Sequence, residues 1–198
     1  SVDGEVMVFH DDRLERLTAG HGRLCDYTAA ELKTLRLGGT AHGMPTLAET
    51  LERIGGRQMV VVELKVLGGE EGPLEAKVAQ ILDDYRGPAA VLSFNPRAIG
   101  WFAARRPERL RGLNSLAYTD AAMWSLSPAE RERLGRLEHV DIAQPHFLGL
   151  GLDMLPSPEA DALRDGGMMV AAWTVRSPEQ WVRVEAHCDT LMFEGWRP

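Results

Sequence analysis
Met59-Val60-Val61-Val62-Glu63-Leu64-Lys65 is the stretch that most limits what this chain can fold into. Four apolar residues in a row, three of them β-branched, read as a strand covered on both faces, the pattern of a parallel sheet flanked by helices. At the end of the run the pattern changes. Glu63 and Lys65 stand two residues apart, so the period of a strand puts both side chains on one face. An acid and a base on a covered face are costly unless they pair or bind something. In a (β/α) barrel the C-terminal strand ends build the active site. Two readings of these residues stay open. One is a metal-ligating carboxylate with an ammonium beside it for an anionic substrate; the other is a buried Glu63–Lys65 ion pair.

After this strand the chain alternates. Helical periodicity covers 73–85, with Leu74, Val78, Ile81 and Leu82 as the stripe, followed by a strand over 89–94 and a helix over 96–106. A strand over 112–118, a capped helix over 127–137 and a strand over 140–144 come next. A helix over 157–165 ended by Gly166-Gly167, a strand over 168–175, a helix over 177–186 and a last strand over 190–193 complete the order. This is an α/β chain of about six βα-type repeats, spaced as parallel pairing requires. No low-complexity linker divides it, so it reads as one domain over 1–198, with 1–57 a hairpin, a loop and helices ahead of the first complete parallel strand. No glycine-rich dinucleotide loop follows any strand, which disfavours an open doubly wound sheet. Six units are two short of a closed (β/α)₈ TIM barrel. The expectation is therefore a barrel lacking about its first two βα units.

Ahead of the first full strand, Val2-Asp3-Gly4-Glu5 reads as a hairpin turn, and Val6-Met7-Val8-Phe9 as a short strand ending in His10-Asp11-Asp12. The turn has no strand before it, a sign of truncation. His10 reads either as a turn or capping histidine or as a general acid or base, since imidazole titrates near neutrality and a neighbouring Asp can orient it. Residues 13–26 read as a loop. Thr28 with Glu31, and Thr46 with Glu49, are capping boxes that start two helices, the second ended by Gly55-Gly56.

Composition excludes several classes. With 44% hydrophobic and 26% charged residues the chain is ordinary for a globular domain. A net charge of −7 argues against a nucleic-acid surface, and no apolar run approaches the roughly 20 residues of a membrane span. Neither Cys25 nor Cys188 sits in a metal or redox motif. The chain opens at Ser1 immediately before the turn, so it carries no information on a leader, and compartment stays open.

Several stretches, in order, resemble one family. Asp3-Gly4-Glu5-Val6-Met7-Val8-Phe9-His10-Asp11, Leu14-Glu15-Arg16-Leu17-Thr18, Gly20-His21-Gly22-Arg23 and Thr28-Ala29-Ala30-Glu31-Leu32 come first. Pro45-Thr46-Leu47, Glu63-Leu64-Lys65, Ser93-Phe94-Asn95-Pro96, Gln144-Pro145-His146 and Ala172-Trp173-Thr174-Val175 follow. Their type and spacing are similar to those of the glycerophosphodiester phosphodiesterases, along nearly the whole chain. The resemblance implies a TIM barrel of the phosphodiesterase type and a small-molecule phosphodiester substrate. It implies a divalent metal, Mg²⁺ or Ca²⁺, on three carboxylates, the last of them Glu63. It makes His10 one of two catalytic histidines, puts Lys65 near the substrate phosphate, and has Trp173 line the pocket. The residues alone read Trp173 equally well as a core tryptophan, and place His146, after a strand, as a further candidate to face the site.

Two departures stand out. The family's first histidine, in a His-Arg-Gly strand end, and its Glu-x-Asp metal pair precede the hairpin, and neither occurs in the nine residues before His10. Glu194-Gly195-Trp196-Arg197-Pro198 stands where the family usually shows Asp-Arg-Pro. The implied chemistry is metal-dependent hydrolysis of glycerophosphodiesters to an alcohol and glycerol phosphate, with His10 and Glu63 at one end of the sheet within reach of a single phosphate. The chain by itself is expected to be inactive and marginally stable. Two rivals remain: a barrel lyase or aldolase using Lys65 as Schiff-base nucleophile, and a non-catalytic barrel that binds an anion.

Overall fold
The computed structural model describes residues 1–66, 72–119 and 126–198. They fall into two units, Ser1–Val60 with Lys65–Ala89, and Val61–Leu64 with Ala90–Pro198.

In the first unit the caps act as the sequence anticipates. Thr28 starts α1 (Ala29–Thr34): its hydroxyl accepts the Glu31 N–H, and the Glu31 carboxylate accepts the Thr28 N–H at 2.8 Å. Thr46 and Glu49 repeat this ahead of α2 (Leu47–Ile54), which Gly55 ends in the left-handed region at φ +60°. In α3 (Pro73–Asp84), proline takes the first turn and the Glu75 carboxylate accepts the Gly72 N–H at 3.0 Å. Val78, Ala79 and Leu82 are its buried apolar face; Leu74 and Ile81 are only half-buried, and Glu75 is buried beside them. The core of this unit is Leu14, Leu32 and Met44, with Met7, Phe9, Leu24, Tyr27, Leu35 and Leu37 packed around it.

The hairpin expected at the start does not form. Gly4 N–H closes a turn onto the Ser1 carbonyl at 3.1 Å, but 6–9 is extended chain whose one bridge joins Met7 to Thr46. Val8 N–H bonds the Pro45 carbonyl at 2.9 Å and Leu47 N–H the Val6 carbonyl at 2.8 Å. The partner is thus the segment that caps α2. Pro45 has no N–H to extend the pairing, which keeps it a bridge and not a strand ladder.

The second unit is a six-stranded sheet in sequence order: β1 (Val60–Glu63), β2 (Ala89–Ser93), β3 (Leu110–Ser115), β4 (Phe147–Gly151), β5 (Met169–Val175) and β6 (Thr190–Phe193). The pairs from β2 to β6 are parallel. Val60 N–H bonds the Pro88 carbonyl and Leu64 N–H the Leu92 carbonyl, so β1 and β2 advance together as a parallel pair does. Helices α4 (Pro96–Arg105), α5 (Pro128–Gly135), α6 (Val140–Ala143), α7 (Pro158–Asp165) and α8 (Pro178–Val184) occupy the connections. Ala90 and Leu92 of β2 cluster with Phe147 of β4, and Met192 of β6 packs against them. Packing of β6 against the cluster that β2 and β4 share on one face fits a curled sheet with that face inside. Strand parity then puts Gly112 and Asn114, Gly149 and Gly151, and Trp173 on the same inner face.

Three sequence expectations need correction. β1 is not covered on both faces: Met59 and Val61 are 48% and 44% exposed, because β1 is an edge of this sheet. The third strand runs over Leu110–Ser115 and stops short of Tyr118, whose φ of +49° breaks the extended run. The segment 140–144 is not a strand. Val140–Ala143 is helical, Gln144 turns left-handed at φ +45°, and the strand is Phe147–Gly151. Packing decides this: a Cβ on Gly100 of α4 would stand 2.6 Å from the Ile142 carbonyl oxygen, an approach that only glycine permits.

Candidate active site
His10 belongs to the first unit, three residues past the Met7 bridge, with its side chain 69% exposed. Its Nδ1 lies 2.7 Å from Asp11 Oδ1. Asp11 also accepts two hydrogen bonds from Arg16, from Nε at 2.6 Å and from Nη2 at 2.5 Å. The Arg16 guanidinium, helped by His10, holds the Asp11 carboxyl down at about 2. A carboxylate this acidic can only accept, so the proton of the imidazole sits on Nδ1 and Nε2 is turned away from the clamp. Arg16 Nη2, at 3.4 Å from that same Nδ1, is then a neighbour and not a donor to it.

Glu63 closes β1 and Lys65 follows two residues later; both side chains are half-buried. The neighbouring strand fixes where β1 ends. Leu64 N–H bonds the Leu92 carbonyl at 2.7 Å, and Ser93 Oγ donates to the Leu64 carbonyl at 2.8 Å while accepting the Asn95 N–H at 3.1 Å. Asn95 in turn caps α4, its Oδ1 accepting the N–H groups of Arg97 and Ala98. The Ser93-Phe94-Asn95-Pro96 stretch is therefore a clamp that ties the end of β1 to the start of α4. The parallel register sets Glu63 beside Leu92, on the inner face.

Trp173 is on the inner face of β5, near its C-terminal end, with Phe94 edge-on at 5.5 Å. Its Nε1 is buried with no hydrogen-bond partner among the described residues, as is Asn114 Oδ1 of β3. Asn114 was not among the residues singled out from the sequence. The one signal for it was a polar residue at the inner parity of a strand, close to its C-terminal end. His146 moves the other way. It precedes β4, at the N-terminal end of the sheet, its Nδ1 accepting the Arg111 N–H at 3.3 Å. Burial, with Arg111 nearby, lowers its pKa. It does not lie at the strand ends where Glu63 and Trp173 stand. At the chain end, Trp196 Nε1 donates to the Val175 carbonyl at 2.8 Å, which ties the divergent Glu194-Gly195-Trp196 turn to the end of β5.

Among the described residues, no group of three or more His, Cys, Asp or Glu side chains is placed to hold a metal ion. A hard divalent ion needs an oxygen-rich shell, and Glu63 alone does not make one. The described residues by themselves do not fit a resident metal.

Compared with known proteins, residues 1–192 match the model of the Glycerophosphoryl diester phosphodiesterase family. The chain belongs to that family. The glycerophosphodiester phosphodiesterases are phosphoric diester hydrolases, and curated relatives carry the name. A putative member from Bacillus subtilis is 33% identical over 89 residues, 42% of this chain and 36% of that protein. A glycerophosphodiester phosphodiesterase from Caldanaerobacter subterraneus is 31% identical over 102 residues, 47% of this chain and 42% of its own length. The matched stretch thus spans less than half of either relative. Among solved structures, an Oleispira antarctica phosphodiesterase in complex with the product sn-glycerol-3-phosphate superposes with a TM-score of 0.79 at 24% identity, covering 98% of this chain and 77% of that one. A putative family member from Silicibacter pomeroyi gives 0.77 at 19% identity, over 98% and 76%. These likenesses establish the phosphodiesterase TIM-barrel type of fold, here a curled six-stranded parallel sheet.

Proposed function
We propose that the intact protein hydrolyses glycerophosphodiesters to an alcohol and glycerol phosphate. Membership of the family over residues 1–192 supports the reaction class. The observation that carries the catalytic reading is the clamp on His10: Asp11, fixed by Arg16, holds Nδ1 and leaves Nε2 to the substrate. With its proton on Nδ1, a neutral imidazole offers the Nε2 lone pair. His10 therefore enters as a base, taking a proton from the attacking water as its oxygen bonds to phosphorus and the bond to the leaving alkoxide breaks. That alkoxide departs on the opposite side and takes its proton from another donor or from solvent. Lys65 contributes positive charge to the phosphate, and Trp173 lines the pocket for the organic group.

Glu63 would supply one oxygen ligand to a divalent ion, Mg²⁺ or Ca²⁺, which it does not hold without further carboxylates. Such an ion, when bound, neutralises charge on a phosphate oxygen. The described sheet has six strands where a closed barrel has eight, so turnover in this proposal needs strands and ligands beyond those described. The 198 residues alone are then inactive. The test is a metal titration of glycerophosphodiester cleavage in the full-length protein and its Glu63→Gln variant. The isostere keeps the packing and removes one charged ligand, so about 10- to 100-fold more metal is needed to reach the same rate. Superimposable titrations remove Glu63 from the metal site.

A further inference from the structure
The inner face of the sheet carries two orphaned polar atoms of opposite type at one place. Asn114 is 5% exposed, and its Oδ1, an acceptor, has no partner among the described residues. Trp173 Nε1, a donor, is likewise buried and unpartnered among them. The two come from different strands, with Gly149 of β4 between them: Asn114 pairs with Gly149 in register, and Gly151 pairs with Trp173. A Cβ on Gly149 would stand 2.2 Å from Asn114 Oδ1 and 3.4 Å from Trp173 Cδ1, the carbon bonded to Nε1. Glycine here is what lets the amide and the indole edge approach the same point. A buried donor and a buried acceptor left open together are costly, and natural interiors rarely keep such a pair without use.

We infer that Asn114 and Trp173 form a subsite for one hydroxyl of the substrate's glycerol group. The indole N–H donates to the hydroxyl oxygen, and Asn114 Oδ1 accepts the hydroxyl proton. A substrate hydroxyl satisfies both at once, taking the place that a water molecule can hold in its absence. A phosphate oxygen or carboxylate would put negative charge against Asn114 Oδ1, and a methyl group would satisfy neither atom. The site thus selects a polyol headgroup against an alkyl one, and makes Asn114 a specificity residue. Sites that hydrogen-bond a substrate hydroxyl discriminate strongly against the analogue lacking it, because their own polar atoms are then left unpaired. This inference rests on the proposed function and deepens it.

The experiment compares sn-glycerol 3-phosphate with propyl phosphate, which has the same phosphate and chain length but no hydroxyls. In full-length protein labelled with ¹⁵N-tryptophan, the Trp173 indole N–H resonance, assigned with Trp173→Phe, is followed as each is titrated. Glycerol phosphate is expected to shift that resonance and to bind at least about tenfold tighter than propyl phosphate. Asn114→Leu, of similar volume and with no acceptor, is expected to bring the ratio to within about threefold. The remaining indole resonances, unchanged, report that the variant is folded. If wild-type protein releases glycerol phosphate from glycerophosphodiesters yet binds both phosphates alike with Trp173 unmoved, the subsite is overturned and the proposed function stands. If no diester is cleaved and neither phosphate binds, the function falls and the subsite with it.

Discussion
His10 Nδ1 stands 2.7 Å from Asp11 Oδ1, and Arg16 grips the same carboxylate through two of its nitrogens. Asp11 thereby sets which ring nitrogen of His10 is presented outward. Asp11→Asn removes the fixed acceptor, and an amide can offer its NH₂ to Nδ1 and select the other tautomer. The expected outcome is a loss of about 10²-fold or more in kcat, with stability changed by less than about 1 kcal/mol because Arg16 is largely exposed. Steady-state kinetics beside urea unfolding of the variant check both parts.

Acid should weaken the first unit. Asp11 falls from an ordinary 3.8 to about 2, chiefly through Arg16, against an upward push from burial that outweighs the smaller help from the His10 hydrogen bond. Glu49 falls from 4.5 to about 2 through Lys33 at 2.6 Å and the Thr46 N–H, and Glu15 does the same through the Gly22 and its own N–H groups and through Arg13. Each carboxylate is more acidic folded than unfolded, so the unfolded chain takes up protons first as pH falls. Their stabilisation is whole above about pH 4.5 and is lost progressively towards pH 2. Urea midpoints should hold level from pH 6 to 5 and then drop, with a shallower drop in Glu49→Gln. A flat profile down to pH 3 would count against these three interactions.

Gly112 is under a different constraint. A Cβ there would stand 2.3 Å from Phe147 Cε2 and 2.8 Å from Leu92 Cδ1, inside the packed face of the sheet. Gly112→Ala should cost about 1–3 kcal/mol by overpacking, read as a lower urea midpoint. Phe147→Leu in the same chain should return part of it. Full stability in the single variant would mean that Phe147 has room to move.

Local chemistry was the legible part of the fold. Thr28, Thr46 and the Pro-led helices announce their own starts, since a cap needs only residues three apart. His10 at the end of an extended segment and Glu63 at the end of an apolar run were likewise visible. What packing decides was not. Ile142 looked like part of a strand until Gly100 of α4 brought a helix backbone against it, and Phe147-Leu148-Gly149-Leu150-Gly151 hid its strand behind two glycines. Gly149 clears space for Asn114, and Gly151 for Asp153 Oδ1 and Leu116, assignments that need the surrounding chain to be in place. Asn114 itself reads as a blemish in an apolar strand until Trp173 and Gly149 stand beside it.

The most direct measurement is the release of sn-glycerol 3-phosphate from glycerophosphocholine by the full-length protein supplied with Mg²⁺ or Ca²⁺, beside its His10→Ala variant. His10 is exposed, so the variant should keep its urea midpoint to within about 0.5 kcal/mol of stability. Glycerol phosphate should appear with wild type and fall by about 10²-fold or more in the variant. Equal rates from the two proteins, or no glycerol phosphate from a folded wild-type enzyme with either metal, would contradict the account.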